Sequence, residues 1–515
     1  MTASSPTDPF GQVLKDLALI ALSLFLLPLD TALLALCYAY QRLRPDRKVS
    51  GPVAVGQQQR RTVLVTGVGM TKGLTLARLF HQAGHRVVGA DFSPWACGSK
   101  SRAIVSYHVL QRPSRGGSDP YLDSILKVIR EEKVDLWVSC SGVGSAIEDG
   151  IVKEVVEART KCKAVQFDVA RTRTLHEKDS FMDHTRDAGL RVPESYLVTN
   201  RNDMLSALEN ASGLSYNPPD SSSSSPSAGK KGPKLPKRFI AKSVGMNDRG
   251  RGDMTLLPLP TEKQTYDFIY RLEWLGMSDK EPWLLQEFID GQEFCTHSLV
   301  VRGEVRAFVA CRSAELLMHY VALPPESSLS QAMLEFTRKQ AASFGTDFTG
   351  HLSFDFLVSD TDVAMAKVSR PEQLKLYPIE CNPRAHTAVA LFADTPELVD
   401  QYLAVLDDGS LAAEVVTPKQ PSKYYWIGHD LVTLFLLPTL RLLLLRESVE
   451  GYVLSVRKFV EHVLFWKDGT FEVWDPLPAW WLYHAYWPMT FWDAMVNWRS
   501  WSRINVSTLK VFECD

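Results

Sequence analysis

Residues 376–388 read LYPIECNPRAHTA. A carboxylate, Glu380, and an amide, Asn382, stand two residues apart, and Pro383 and Arg384 follow. On a strand, alternate residues share a face. A strand ending at Asn382 therefore presents Glu380 and Asn382 together, with Arg384 just beyond its end. An acid, an amide and a guanidinium in one cluster suit a site that handles a hard cation and an anionic group, because oxygen ligands hold Mg²⁺ and arginine matches phosphate or carboxylate oxygens.

The stretches before it supply companions. HLSFDFLVSD (351–360) reads as a strand with Asp355 inside an apolar run. EPWLLQEFIDGQEFCTHSLVV (281–301) reads strand, turn, strand, with Gln286 and Glu287 beside Phe288 and Ile289, and Glu293 just after Gly291. RFIAKSV (238–244) is a β-branched strand carrying Lys242, and GMNDRGRGD (245–253) is a glycine-rich loop able to offer backbone N–H groups to phosphates. TLHEKDSFMDHTRDAG (174–189) is helical and carries Lys178. Singly, each has an ordinary structural role: a solvated lysine, a turn cap, a buried hydrogen-bonded acid. Together they are the set a Mg-nucleotide needs. Lysines neutralise phosphate oxygens as point charges. Carboxylate and amide oxygens bind Mg²⁺. Ile240, Phe288 and Ile289 can sandwich a purine. No G-x-x-x-x-G-K-[ST] occurs, and neither H-R-D nor D-F-G, so this is no P-loop and no protein kinase.

The order Lys, Lys-loop, E-x-x-x-G-x-E, Asp, E-x-N-P-R resembles the ATP-grasp superfamily over about two hundred residues. The resemblance implies an α/β (α+β ATP-grasp) fold, with ATP and Mg²⁺ as cofactors and Mn²⁺ as a possible substitute. It implies that Lys178 and Lys242 contact phosphates, that Gln286, Glu287 and Ile289 line the adenine edge, and that Glu293 holds the ribose. Asp355, Glu380 and Asn382 would bind the metal, and Arg384 would stabilise the transferred phosphoryl group. Gln286 departs from the acid found in many relatives. A narrower resemblance rests on GMTKGLTLARLFHQAGHRVVGAD, QEFIDGQEFCTHSLVVRGEVRAF, IECNPRAHTAVALF and DPLPAWWLYHAYWP. These look like the ligases that make mycosporine-glycine and related ATP-grasp enzymes of fungal secondary metabolism. That resemblance implies an ADP-forming C–N ligase whose acceptor is a carboxylate or the enol of a cyclohexenone such as 4-deoxygadusol, and whose donor is an amino acid. His386 would orient the acceptor or take a proton from the amine. Arg302, Arg306 and Arg312 are candidates for the amino-acid carboxylate.

Upstream, residues 61–170 alternate strands (TVLVTGV, HRVVGADF, DLWVSCS) with helical stretches, a parallel sheet covered by helices. The resemblance makes this a pre-ATP-grasp domain. GVGMTKG (67–73) and Asp91 also permit a competing reading, an NAD(P)-linked oxidoreductase, although the glycine spacing is one residue off the dinucleotide-binding pattern. A third reading is a membrane-bound ATP-binding scaffold without turnover.

The ends of the chain are apolar. From Leu17 to Tyr40 the only charge is Asp30, long enough to cross a bilayer. Arg42, Arg44, Arg47, Lys48, Arg60 and Arg61 follow, which by the positive-inside rule puts the next domain in the cytosol. A buried or interfacial helical hairpin bent at Pro28 is the alternative. LVTLFLLPTLRLLLL (431–445) and the tryptophan-rich 474–498 read as an interfacial helical region or as a packed aromatic subdomain. The resulting domain plan is a membrane segment and basic flank (1–60), the parallel α/β domain (61–170), the ATP-grasp domain (171–405) with a disordered serine-rich insertion (215–237), and the aromatic-rich region (406–515). Near-balanced charge, −2 over 515 residues, gives no footprint for nucleic acid. Eight scattered cysteines without C-x-x-C spacing fit a reducing compartment.

Overall fold

The structure, a computed structural model, describes residues 9–43, 59–113, 119–140, 142, 145–212, 237–243, 254–313, 318–407 and 414–513. The loop 245–253, residues 215–236 of the insertion, Arg44, Arg47, Lys48 and Cys514 lie outside the described residues. The chain forms two compact units, one from residues 174–292 and 356–381, the other from 2–173, 293–355 and 382–515.

The second unit begins its sheet with β1 (Thr62–Thr66), β2 (Arg86–Asp91), β3 (Ser106–Val109), β4 (Leu136–Val138) and β5 (Lys163–Val165). All pair in parallel, in the order β3-β2-β1-β4-β5. Strands with helical crossovers bury both faces and so read as continuous apolar runs. Val63, Val65 and Val87 enter one hydrophobic cluster, while Leu64, Val88 and Ala90 enter another with Tyr121 and Ile125.

The first unit is built on β6 (Ser195–Val198), β7 (Phe239–Ser243), β8 (Leu256–Leu257) and β9 (Trp283–Glu287), antiparallel in the order β6-β9-β7-β8. Its core joins Phe239, Ala241, Trp283 and Leu285 to Met204, Leu208, Phe268 and Ile269 of the helices Arg201–Ser212 and Glu262–Trp274. The stretch expected as one helix over 174–189 is interrupted at Glu177, between the helices Val169–His176 and Lys178–Asp187.

A further sheet runs β11-β10-β13-β14, formed by β10 (Gly291–Val301), β11 (Glu304–Arg312), β13 (Gly350–Ser359) and β14 (Tyr377–Asn382). The division between the two units falls within β10, β13 and β14. β12 (His319–Val321), β15 (Lys423–Tyr425) and β16 (Lys467–Asp468) form a three-stranded sheet, and β17 (Trp501–Asn505) pairs with β18 (Lys510–Glu513). Gly291 is required by close approach, because a Cβ there would lie 2.1 Å from the Val358 carbonyl oxygen.

Two helical features finish the second unit. Residues 427–465 make a hairpin, with Ile427–Asp430, a widened π turn and Leu437–Leu443 as one arm and Val449–Phe465 as the other. The N-terminal helix is continuous from Pro9 to Leu43 through Pro28, so the bent hairpin does not form. It lies against the C-terminal helical region. Lys15 Nζ donates to the Trp501 carbonyl at 2.9 Å, and Trp501 Nε1 to Asp16 at 2.8 Å. Ser23 Oγ donates to the Tyr483 carbonyl, Trp480 Nε1 to Thr31, and Gln41 Nε2 to the Val473 carbonyl. His484 Nε2 lies 2.8 Å from Asp30 Oδ2.

Candidate functional site

In the first unit, strand pairing sets two of the expected nucleotide residues face to face. Ile240 is opposite Gln286 across β7 and β9, and Lys242 Nζ donates to Gln286 Oε1 at 2.9 Å. Gln286 is buried and Lys242 is half-buried. An amide at 286 therefore keeps a hydrogen bond to the lysine without neutralising it. An acid at 286 would set a charge of its own beside the ammonium, which the amide does not. Glu287 Oε2 accepts the Glu194 N–H at 3.2 Å, and Lys237 Nζ lies 3.5 Å from Glu287. Glu287, Lys237, Glu194, Arg191 and Tyr377 line an open cleft of about 640 Å³. Ile289 is nearly buried. Lys178 opens its helix, where the backbone N–H groups are free of intrahelical partners and favour an anion. Glu380 belongs to this unit, on β14.

In the second unit, three more expected residues form a hydrogen-bonded chain. Asn382 Nδ2 donates to Asp355 Oδ2 at 3.1 Å, and Arg384 Nη2 donates to Asn382 Oδ1 at 2.8 Å. The carboxylate of Asp355 and the amide oxygen of Asn382 are ligand atoms of the kind Mg²⁺ accepts. Glu293 is exposed at the start of β10. His386 is buried and caps the short helix Thr387–Phe392, its Nδ1 accepting the Ala388 N–H at 3.2 Å. Burial, then the Arg384 and Lys72 charges, lower its pKa to about 3. A ring so weakly basic does not hold an amine's proton at neutral pH, which favours the orienting role over the proton-accepting one.

Thr296, His297 and Ser298 are fully buried in the sheet. Thr296 and Ser298 bond to backbone groups of Phe354 and Leu352, and His297 Nδ1 accepts the His386 N–H. Of the three arginine candidates, Arg302 donates to the carbonyls of Ala404 and Asp407, and Arg306 pairs with Glu304. Both are committed to chain partners. Arg312 is exposed.

Lys72 is a residue the sequence reading passed over. It sits in the first turn of the helix Thr71–Gln82 and is 1% exposed, with Nζ donating to the Ala385 carbonyl at 2.9 Å. Burial, then the charge of Arg384, lower its pKa to about 7. No local pattern marked it, because the burial of every residue from Thr71 to Phe80, Lys72 and Arg78 included, is set by what packs around the helix.

The nicotinamide reading fails at the same turn. A dinucleotide needs the free N–H groups at the start of this helix. Gly69 N–H donates to Asp91 Oδ2 at 2.9 Å, and Thr71 N–H to the Ser507 carbonyl at 3.0 Å. Asp91, the expected ribose acid, is held by the N–H groups of Gly69, Phe92 and Ser93. Leu509 lies beside Gly69, at 3.0 Å from where a Cβ would be. The chain's own C-terminal residues occupy the crevice beyond β1.

No family model matches the chain, and no curated protein matches it. Among solved structures it is similar to N5-carboxyaminoimidazole synthetase from Staphylococcus aureus complexed with ADP, with 13% identity and TM-score 0.44 over 70% of this chain and 79% of that one. It is also similar to a biotin carboxylase–β,γ-ATP complex from Campylobacter jejuni, with 13% identity and TM-score 0.47 over 69% and 72%. An L-amino acid ligase from Bacillus licheniformis follows, with 12% identity and TM-score 0.40 over 64% and 68%. Similarity of this extent leaves the chain's own residues to carry any functional argument.

Proposed function

We propose that this chain is an ADP-forming ATP-grasp ligase that joins an amino-acid amine to a phosphoryl-activated oxygen acceptor. The observation that carries the reading is the Asp355–Asn382–Arg384 hydrogen-bonded chain, which brings a carboxylate and an amide together beside a guanidinium. The Lys242–Gln286 pair adds a phosphate-binding cation beside an apolar strand face. An acceptor oxygen attacks the γ-phosphorus and ADP leaves; the amine then attacks the activated carbon and inorganic phosphate leaves. When bound, Mg²⁺ neutralises charge developing on the transferring group. Arg384 holds the phosphoryl oxygens, Lys242 and Lys178 hold phosphates, and Glu293 holds the ribose. The acceptor we favour is a cyclohexenone enol of the mycosporine type, with a carboxylate as the second choice. The test is ADP release by the purified protein against amino acids crossed with cyclohexenones and carboxylates, with the adduct detected by mass. Glu380→Ala should lower ADP release roughly 10²–10³-fold, the scale of losing one transition-state contact, without loss of folding. Unchanged turnover in that variant sinks the metal assignment. No amine-dependent ADP release with any pair sinks the ligase.

The same reading puts the protein on a membrane, with the N-terminal helix lying in the bilayer surface and not crossing it. That helix is inside-out. Asp16, Ser23, Asp30 and Gln41 make contacts to the C-terminal region, while Leu14, Leu24, Phe25, Leu29, Leu36 and Leu43 point outward, Phe25 with 81% exposure. Lys15 and Gln41 are both fastened to this unit, about 39 Å apart at 1.5 Å per residue. The partner segment 477–496 is itself part of the unit's core through Leu482, Trp487 and Phe491. A span would carry that core into lipid. The hairpin adds Leu440, Leu443, Leu445, Leu464 and Phe465 to the exposed apolar surface. Apolar faces of this kind bury into the headgroup boundary.

A further inference from the structure

The hairpin 427–465 has almost no core of its own. Across its two arms beyond Asp430, only Pro438 and His462 are buried. What meets at its root is a cluster of ligating side chains. His319 opens β12 and lies opposite Tyr425 of β15. Asp430 ends the first helix of the hairpin, and His462 stands in the last turn of the returning arm. His319 Nε2 is 2.7 Å from Asp430 Oδ1, and His462 Nδ1 is 2.6 Å from Asp430 Oδ2. The two imidazole rings are 4.8 Å apart between centroids, inclined at 47°. One ligand atom from each residue lies within 4.8 Å of the others.

The surroundings are those of a built site. Asp430 is 0% exposed and His462 nearly so, while His319 keeps a partly open side. Trp466 walls the cluster, its ring 4.3 Å from that of His462 and 5.9 Å from that of His319. His429 is half-buried next to it, its ring 5.9 Å from that of His319. Two imidazole nitrogens and one carboxylate oxygen, with one direction left open, form the donor set of a four-coordinate zinc-type site. Mg²⁺ prefers oxygen alone. Ligand atoms around such an ion sit roughly 3.3 Å apart, so the two hydrogen-bond distances to Asp430 would open by about 0.6 Å, while the two imidazole nitrogens already lie within 4.8 Å of each other.

We infer that His319, Asp430 and His462 form a transition-metal site, of the zinc class, that clasps both arms of the hairpin to β12. The three residues come from elements separated by 111 and 32 positions in the chain, so one ion closes the hairpin and ties it to the sheet together. Metal ligation supplies folding energy directly, which a hairpin with little buried surface lacks. The site is independent of the ligase reading.

The experiment uses tag-free full-length protein in mild detergent, with excess Mg²⁺ throughout to satisfy oxygen sites. After treatment with a chelator, Zn²⁺ is titrated, bound metal is measured by elemental analysis after gel filtration, and Co²⁺ is added in parallel for its visible spectrum. About one equivalent should be retained, with a rise in Tm over the chelated protein and a four-coordinate cobalt spectrum. Asp430→Asn and His462→Gln should fall to background, while Asp355→Asn should retain the metal. His319→Gln, at the open edge, should lose metal while keeping its far-ultraviolet dichroism, which separates lost ligation from lost folding. Wild-type protein that takes up no stoichiometric Zn²⁺, or a His319→Gln variant that binds it as wild type does, overturns the inference.

Discussion

Lys72 shows what a single buried charge does to this molecule. Its ammonium is enclosed and its pKa lowered to about 7, against an ordinary lysine value near 10.5. Below pH 7 both folded and unfolded chains carry the proton, and the folded state bears the full cost of the enclosed charge. Between pH 7 and about 10.5 the unfolded chain binds more protons, so stability rises with pH through that window. Urea unfolding at pH 6, 8 and 9.5 should show this rise, and Lys72→Met should flatten it; an equal slope in both proteins removes Lys72 as its source. Asp91 teaches the complementary lesson. Burial raises its pKa, and three backbone N–H donors oppose that rise. Asp91→Ala should therefore destabilise the turn by about 1–3 kcal/mol in chemical denaturation, since buried donors are left unpaired.

At the scale of elements, the N-terminal helix carries the clearest prediction. Its outward leucines and its inward polar residues alternate with helical spacing, so substitutions on the two faces should separate. Leu24→Glu with Phe25→Glu should abolish flotation with phosphatidylcholine–phosphatidylserine vesicles and leave thermal unfolding near wild type. Flotation equal to wild type would refute the in-plane face. Cysteines placed at Phe10 and Leu43 should both react with an impermeant thiol reagent added to one side of sealed vesicles, whereas a span would protect one of them. The strands were easier to read than this helix. Alternation and β-branching marked β1, β2, β7 and β13 close to their observed bounds, because those residues meet a core on fixed faces. The helix was legible as a long apolar segment, 17–40, inside the observed Pro9–Leu43, but which face holds the polar residues depends on the partner, and Trp480, His484 and Trp501 are some 450 residues away.

In the second unit, one buried cluster joins early and late parts of the chain. Arg78 Nε donates to Asp475 Oδ2 at 2.9 Å, Nη1 to the Thr470 carbonyl and Nη2 to the Asp475 carbonyl. Asp475 also accepts from Ser101 Oγ and the Arg102 N–H. Both side chains are almost wholly enclosed. Removing one partner of such a pair costs about 3–5 kcal/mol. Asp475→Ala should lower the stability of full-length protein by that amount in urea unfolding, and no measurable change would show the pair to be dispensable. From the sequence alone, the order of motifs, Lys178, Lys242, Gln286, Glu287, Glu293, Asp355, Glu380, Asn382 and Arg384, was readable, because residue type and strand parity are local properties. So were the parallel α/β segment and the apolar ends. Only the tertiary structure decided that the glycine turn is closed by Asp91 and Ser507, that Arg302 is committed to the carbonyls of Ala404 and Asp407, that Lys72 reaches the Ala385 carbonyl, and that His319, Asp430 and His462 meet. Each of these joins positions far apart in the chain, and no local pattern encodes which distant donor will satisfy a buried acceptor.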